Sequence, residues 1–272
     1  LSVKLSVVIV NYNTWALLRA CLTALESSTQ PAEIIVVDND GSARTIPDEF
    51  PNVIYLPQAE NQWFCGGNRI GIEAAQGEYV LLLNPDTVPQ PDALRVLVDF
   101  MDAHLDYAGA TLQLRYPDGS IQRTCSRLPT YTYLLLNHTP LQWLLRGKTA
   151  ALNAHQWYAD WNRDTPRDVE VMPGSCMLMR RADLLIDDRL RLYFPEDDLG
   201  QRFAERKFRF LCDSFIAHHE KSVTQSWLAT ETYYRDLLIY THKHHGAIRA
   251  ALLWLLSRPL LWGMKLKRLA FA

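Results

Sequence analysis

The stretch Ser6-Val7-Val8-Ile9-Val10-Asn11-Tyr12-Asn13 decides the fold. Val7 to Val10 is an unbroken run of β-branched residues with no polar alternation, the pattern of a strand covered on both faces in a parallel sheet. The run stops at Asn11-Tyr12-Asn13-Thr14, where Thr14 is placed to cap a helix carrying Leu17, Leu18, Cys21, Leu22 and Leu25 at helical spacing. Working outward, Ile34-Ile35-Val36-Val37 repeats the motif and ends at Asp38-Asn39-Asp40-Gly41; Val53 to Leu56 reads as a third strand. Tyr79 to Leu83 reads as a fourth and ends at Asn84-Pro85-Asp86. Helices are expected from about Gly67 to Ala75 and from Asp92 to Met101. Strands and helices in alternation, joined by short connections, make an α/β chain with a doubly wound, mainly parallel central sheet. Ligands of such sheets lie beyond the carboxyl ends of the strands. Those ends here carry Asn11, Asp38 and Asp86.

The second half is less regular. Leu112-Gln113-Leu114 reads as a strand before a turn at Tyr116-Pro117-Asp118-Gly119-Ser120. Loops and short helices are expected over 128–168, and a strand returns to the sheet from Val171 to Met179 with a bend at Pro173-Gly174. A helix is expected from Asp198 to Arg206, then strand material at Phe210-Leu211 and Phe215-Ile216, and strong helical character from about Ser226.

Of the 272 residues, 48% are apolar and 21% charged, enough to bury a sizeable core. A formal charge of −2 argues against a general nucleic-acid binder, which needs a cationic surplus. Five scattered cysteines without a CxxC pair argue against a disulfide framework or zinc site and favour a reducing, cytoplasmic setting. The start of the sequence shows no secretory leader pattern, and the sequon Asn137-His138-Thr139 is read as chance.

Several residues are suited to chemistry. Asp86, at a strand end, can hold Mg²⁺ or Mn²⁺, hard ions that share oxygen ligands with phosphates, or it can simply cap a turn. Asp38 can accept a hydrogen bond from a pyrimidine, and Tyr12 can pack on a base; a turn residue and a core aromatic are the bland readings. Trp63-Phe64-Cys65-Gly66-Gly67-Asn68 precedes the expected helix, where glycines permit close backbone approach to phosphate. Pro195-Glu196-Asp197-Asp198-Leu199 sets three carboxylates before a helix, one available as a general base and the others for capping. His218-His219 follows strand-like sequence and can complete a metal shell begun by Asp86.

In their order, these pieces resemble the family-2 inverting glycosyltransferases of GT-A fold, most closely the rhamnosyltransferase-type branch. The resemblance runs from about Ser6 to Ser222. It is carried by Ser6–Asn13, Ile35-Val36-Val37-Asp38-Asn39, Asn61 with Gly66-Gly67-Asn68, Leu83-Asn84-Pro85-Asp86-Thr87, Pro117–Ser120, Gly174–Arg181, Glu196–Leu199 and His218-His219. It implies that Asn11, Tyr12, Asp38, Asn68, Asn84 and Asp86 bind substrate. Asn84-Pro85-Asp86 stands in for the family's DxD motif, Asp86 is the metal carboxylate, and His218 or His219 is a further ligand. The family's base is the Asp of Glu-Asp followed by two residues and Leu. Counting back from Leu199 gives Glu196, with Pro195 in place of the preceding acid; matching the acidic pair gives Asp197 with one residue missing. Both stay open.

The resemblance implies transfer of a sugar, L-rhamnose from dTDP-rhamnose or another sugar from a UDP donor, to the hydroxyl of a saccharide or lipid-linked saccharide in cell-surface polysaccharide or glycolipid assembly. Two other readings compete. A catalytically silent carbohydrate-binding or scaffold protein is motivated by Asn84 and the displaced acidic pair. A sugar-phosphate nucleotidyltransferase needs a Gly-rich basic loop where this chain has Asn11-Tyr12-Asn13-Thr14-Trp15. The expected organisation is one domain over 1–225, nucleotide-binding over 1–110 and acceptor-binding and catalytic over 111–225, with a helical extension over 226–272. The run Ala250–Leu256 with Trp262, Lys265, Lys267 and Arg268 is too short to span a bilayer. It suits either a helix on an anionic surface, which would put the protein at the cytoplasmic face of the inner membrane, or a core or dimer helix.

Overall fold

The computed structural model describes residues 3–219 and 226–270. The first strand, β1 (Leu5–Asn11), pairs in parallel with β2 (Glu33–Asp38) on one side and β4 (Tyr79–Leu83) on the other, and β2 pairs with β3 (Val53–Pro57). Beyond β4 the sheet continues through β8 (Cys176–Arg180), β6 (Tyr107–Arg115) and β9 (Lys207–His218) to β5 (Thr87–Pro89), while β7 (Arg167–Val169) pairs with β9. β3, β2, β1, β4, β6 and β9 run one way; β8, β5 and β7 run against them. The chain therefore has the mainly parallel α/β sheet expected of it.

The β1 run is apolar throughout because both its faces are covered. Leu5, Val7 and Ile9 pack against Leu18, Cys21, Leu22 and Leu25 of α1 (Trp15–Glu26) and Leu94, Leu97 and Met101 of α4 (Ala93–Ala103). Val8 faces the opposite layer, with Ile72 of α3 (Trp63–Ala74), Ala75 just after it, and Tyr158, Trp161 and Phe210. A third apolar cluster joins Leu134 of α5 (Tyr131–Asn137) and Phe194 to Leu237 and Tyr240 of α9 (Trp227–His245) and Leu253 and Leu261 of α10 (Ala247–Ala270).

Three local expectations change. Thr14 flanks α1, but its hydroxyl donates to Asn11 Oδ1 (2.8 Å) and makes no side-chain cap. α3 begins at Trp63, so Gly66 and Gly67 lie inside the helix and form no phosphate loop ahead of it. Their neighbours explain the glycines: a Cβ on Gly67 would meet Val10 Cγ1 at 2.8 Å and one on Gly71 would meet Val8 Cγ1 at 2.2 Å. These residues let α3 settle on β1. α8 (Pro195–Arg202) starts three residues before the expected position, with Phe194 left-handed at φ 68° and Pro195 in the first turn, where a missing N–H costs no hydrogen bond.

Candidate active site

Because six strands share a direction, their carboxyl ends reach one edge of the sheet. Asn11 and Asp38 are paired residues in adjacent strands there, and His218 closes β9 opposite Thr87. β8 enters from the same edge through Pro173-Gly174-Ser175, and the Asn84 amide donates to Ser175 O (3.2 Å). Two cavities open at this edge. The smaller, about 190 Å³, is lined by Val10, Tyr12, Asn39, Asn61, Trp63, Phe64, Asn84 and Asp86. The larger, about 530 Å³, is lined by Tyr133, Trp157, Gly174, Tyr193, Glu196, Asp197, His218 and Tyr233, among others. Leu192 belongs to both walls. Backbone in the left-handed region collects here: Trp63 (φ 60°) borders the first cavity, Cys125 (63°) and Phe194 (68°) the second, and Asn13 (55°) lies between Tyr12 and Thr14. Such conformations cost energy and persist where surrounding structure enforces them, commonly at functional sites.

Asp38 is fully buried. One carboxylate oxygen accepts from Asn11 Nδ2 (2.8 Å), the other from the Tyr55 hydroxyl (2.7 Å) and the Ala43 amide (3.1 Å). Burial works against its charge, but the Tyr55, Asn11 and Ala43 donors outweigh it and hold the carboxyl below its usual range. Both carboxylate oxygens thus hold the loop after β2 in place beside the smaller cavity, where the Tyr12 ring is 39% exposed and Asn39 is buried. Asn11 is likewise buried and reaches Asp40 Oδ1 (3.2 Å) and Ser42 Oγ (2.9 Å). Asn68 differs from expectation most clearly: it is buried, gives its amide to Phe64 O (2.9 Å) and lines neither cavity.

At the junction of the cavities, His218 Nε2 lies 3.4 Å from Asp86 Oδ1. Gln122 fixes the imidazole. Its amide nitrogen donates to His218 O (2.7 Å), which turns its carbonyl oxygen toward His218 Nδ1 (2.9 Å). An oxygen there can only accept, so Nδ1 carries a proton and Nε2 is the ring atom that faces the Asp86 carboxylate. Two acceptors face to face call for a cation between them, a proton or a metal ion. Neighbouring ligands of an octahedral ion bound at about 2.1 Å stand about 3 Å apart, close to the observed separation. Among the described residues no group of three His, Cys, Asp or Glu side chains is placed to hold an ion. A divalent ion held by this pair alone would need its remaining oxygen ligands from outside the protein. His219 anchors the same corner by its amide, which donates to Asp86 O (3.0 Å), while its side chain is exposed.

The three acids of α8 separate sharply. Asp198 is 1% exposed and bound by Lys243 Nζ (2.7 Å) and His244 Nε2 (2.7 Å), with Arg202 Nε at 3.4 Å. Burial opposes its charge, but the His244 and Lys243 hydrogen bonds prevail and its carboxyl titrates below the usual range. Glu196 and Asp197 have no cationic partner among the described ion pairs and face the larger cavity. Burial pushes Glu196 up to about 8 against the opposing pull of its own and the Gly174 amides, with the Asp197 charge adding to the rise. Burial pushes Asp197 up to about 7, and the Asp198 charge adds to it. A Cβ on Gly174 would lie 2.0 Å from Glu196 Oε1 and 3.2 Å from Phe64 Cζ, so the glutamate occupies the space beside that glycine. Asp197 instead acts electrostatically on Tyr133, Tyr233 and Tyr240.

The segment that carries Leu192 is held from α9. Asp236, fully buried, accepts from the Arg191 (3.0 Å), Leu192 (2.9 Å) and Tyr193 (3.1 Å) amides through one oxygen. Gln122, Asp236 and Lys243 carried no signal in the sequence, because their partners lie far away along the chain. Gly174 stood in a motif but gave no hint of the side chain beside it.

Comparison with known proteins follows the same line. Residues 6–185, more than half the chain, match the model of glycosyl transferase family 2. Two curated relatives carry glycosyltransferase names: EpsH of Bacillus subtilis (strain 168), 33% identical over 93 residues, and YibD of Escherichia coli (strain K12), 34% identical over 113. The alignments cover 32% and 39% of this chain but only 27% and 33% of those proteins, so the chain spans about a third or less of the relatives it matches. Among solved structures, S. aureus TarS superposes with a TM-score of 0.56 at 14% identity, covering 88% of this chain and 40% of that one. Its 1–349 fragment gives 0.55 at 13%, covering 93% and 78%. This is likeness of fold, the GT-A arrangement. The chain belongs to glycosyl transferase family 2.

Proposed function

We propose that this family 2 member transfers a sugar from a nucleoside diphosphate to an acceptor hydroxyl, in one displacement that inverts the anomeric carbon. The observation that carries the reading is the adjacency of two unlike acidic sites. Asp86 and His218 stand where the cavities meet, and Glu196 and Asp197, both titrating near neutrality, line the larger one. The nucleotide belongs in the smaller cavity, against Tyr12, Trp63 and Asn39, with its diphosphate toward Asn84 and Asp86. The acceptor belongs in the larger one, whose Tyr133, Trp157, Tyr193 and Tyr233 suit the faces of sugar rings.

In this scheme Glu196 takes the acceptor hydroxyl proton as that oxygen bonds to the anomeric carbon, and the bond from that carbon to the diphosphate breaks with its electrons on the leaving group. Glu196 is preferred to Asp197 because it lies against Gly174 and so toward Phe64 and the smaller cavity, whereas Asp197 faces the tyrosines. A divalent ion, Mg²⁺ or Mn²⁺, held by Asp86 and His218 would supply charge neutralisation on the departing diphosphate. The proposed donor is dTDP-rhamnose, with a UDP-sugar as the alternative, and the proposed acceptor is a free or lipid-linked saccharide in cytoplasmic assembly of a surface glycan. Five free cysteines are compatible with that compartment. On this reading the nucleotide and acceptor halves adjoin across Leu192, and the helices from Trp227 onward brace them.

The test is release of nucleoside diphosphate from a panel of dTDP- and UDP-sugars with Mn²⁺, alongside donor-induced thermal shifts. Turnover abolished by Asp86→Ala supports the reading. If no donor in the panel is turned over or raises the melting temperature, the reading fails; binding without turnover returns the silent scaffold.

A further inference from the structure

The helix α10 leaves one apolar face uncovered. α10 packs on the body of the protein through Ala250, Leu253, Ser257 and Leu261, each no more than 9% exposed. Opposite that seam, Ile248, Leu252, Leu255, Pro259, Trp262 and Leu266 recur at alternating spacings of four and three residues, so they form one line along the helix. None is covered: Ile248 is 85% exposed, Leu252 43%, Leu255 59%, and Trp262 and Leu266 67% each. The line is about 27 Å long at 1.5 Å per residue. Four cations flank it, Arg249 and Lys267 on one side and Arg258 and Lys265 on the other, and residues 237–272 include no Asp or Glu.

We infer that this outer face of α10 is a docking surface for an anionic lipid bilayer, with the apolar line in the acyl boundary and the flanking cations among the headgroups. Charge complementarity selects that occupant. Pairing of the line with the same line of a second copy would set cation against cation along both flanks, whereas self-pairing helices carry both signs there. Pro259 has no N–H for the Leu255 carbonyl, and both residues are in the line; a free carbonyl is easily satisfied at a wet headgroup boundary and poorly in a dry helix seam. The helix would lie on the bilayer, since no described helix is long and apolar enough to cross one.

Flotation of the whole protein with vesicles tests this without any donor sugar, so failure here leaves the transferase reading untouched. The probes are phosphatidylcholine vesicles and phosphatidylcholine vesicles mixed with phosphatidylglycerol. Binding to the mixed vesicles alone, weakened by salt, is expected. Lys265→Ala and Lys267→Ala should each weaken it about fivefold. Leu255→Glu with Trp262→Glu should weaken it at least about tenfold, with circular dichroism unchanged because both side chains are exposed. Absence of binding to anionic vesicles, equal binding to both kinds, or a lipid-free dimer that dissociates on Leu255→Glu would each overturn the inference.

Discussion

Gly174→Ala isolates the position of the proposed base from its chemistry. The added methyl would stand 2.0 Å from Glu196 Oε1, where carbon and oxygen in contact need about 3.3 Å. The carboxylate must therefore withdraw by about 1.3 Å, and a displacement of that order costs roughly a hundredfold in rate, or about 2.7 kcal/mol of barrier. The end of a glutamate side chain moves easily, and Gly174 is not among the residues with positive φ, so the fold tolerates the methyl. Removal of a glycine from the unfolded chain offsets part of whatever strain is left, by about 0.4–1 kcal/mol. The expected result is a melting temperature within a few degrees of the parent and nucleoside diphosphate release from the donor slowed about a hundredfold, with KM for donor little changed. Initial rates and a thermal melt on the same preparation measure both. A Gly174→Ala protein that turns over donor at the parent rate would refute the assignment of Glu196.

Other outcomes follow from the same geometry. The rate should rise with pH through about 7 to 8, because the raised carboxyls must lose a proton to act. Glu196→Gln should lower the rate by about 10²–10⁴, and Asp197→Asn should move the remaining limb to lower pH by removing a like charge. Stability runs the other way: with pKa values raised on folding, the pair's contribution is complete below the ordinary carboxylate range and is lost as pH climbs toward 8, a decline that melting curves should show and Glu196→Gln should flatten. Gln122→Leu removes the hydrogen bonds that orient His218 and should raise the Mn²⁺ concentration for half-maximal turnover by about 10–100-fold, read in a metal titration. Asp236→Ala strands three amides and should cost about 3–5 kcal/mol in urea unfolding; a loss within experimental scatter would show that the 191–193 segment is held by other contacts.

The sheet was legible because buried parallel strands write themselves as continuous apolar runs, as β1, β2 and β4 did, while β3 kept an apolar run at the sheet's edge without being buried. β5 and β7, three residues apiece, were not, since so short a pairing is set by the partner strand and leaves no period. The edge that gathers Asn11, Asp38 and Asp86 could be deduced from topology alone. What each side chain does there could not. For Asp38 and Asn68 polarity and position were visible, while the hydrogen bonds that hold them, from Asn11, Tyr55 and Ala43 and to Phe64, were not. Glu196, Asp197 and Asp198 are three acids in a row, alike in the sequence. Only Lys243 and His244, more than forty residues further on, set Asp198 apart from its two neighbours, for which no ion pair stands among the described residues. The glycines of α3 mislead for a related reason, since close packing on Val8 and Val10 and close approach to a phosphate ask for the same residue.

The mooring of α8 to α9 bears on how the chain can be shortened. Lys243 holds Asp198 at 2.7 Å and Asp187 at 2.8 Å, so the helix that presents Glu196 is tied to the final turn of α9. A stop codon after Gly246 would strip away the oily outer helix while sparing that tie, at the expense of uncovering what Leu253 and Leu261 now shield. A stop codon before Ser226, chosen to keep only the recognisable sheet, would take Lys243 and His244 from Asp198, leave it Arg202 alone, and should yield a protein that folds poorly and cannot aim its proposed base.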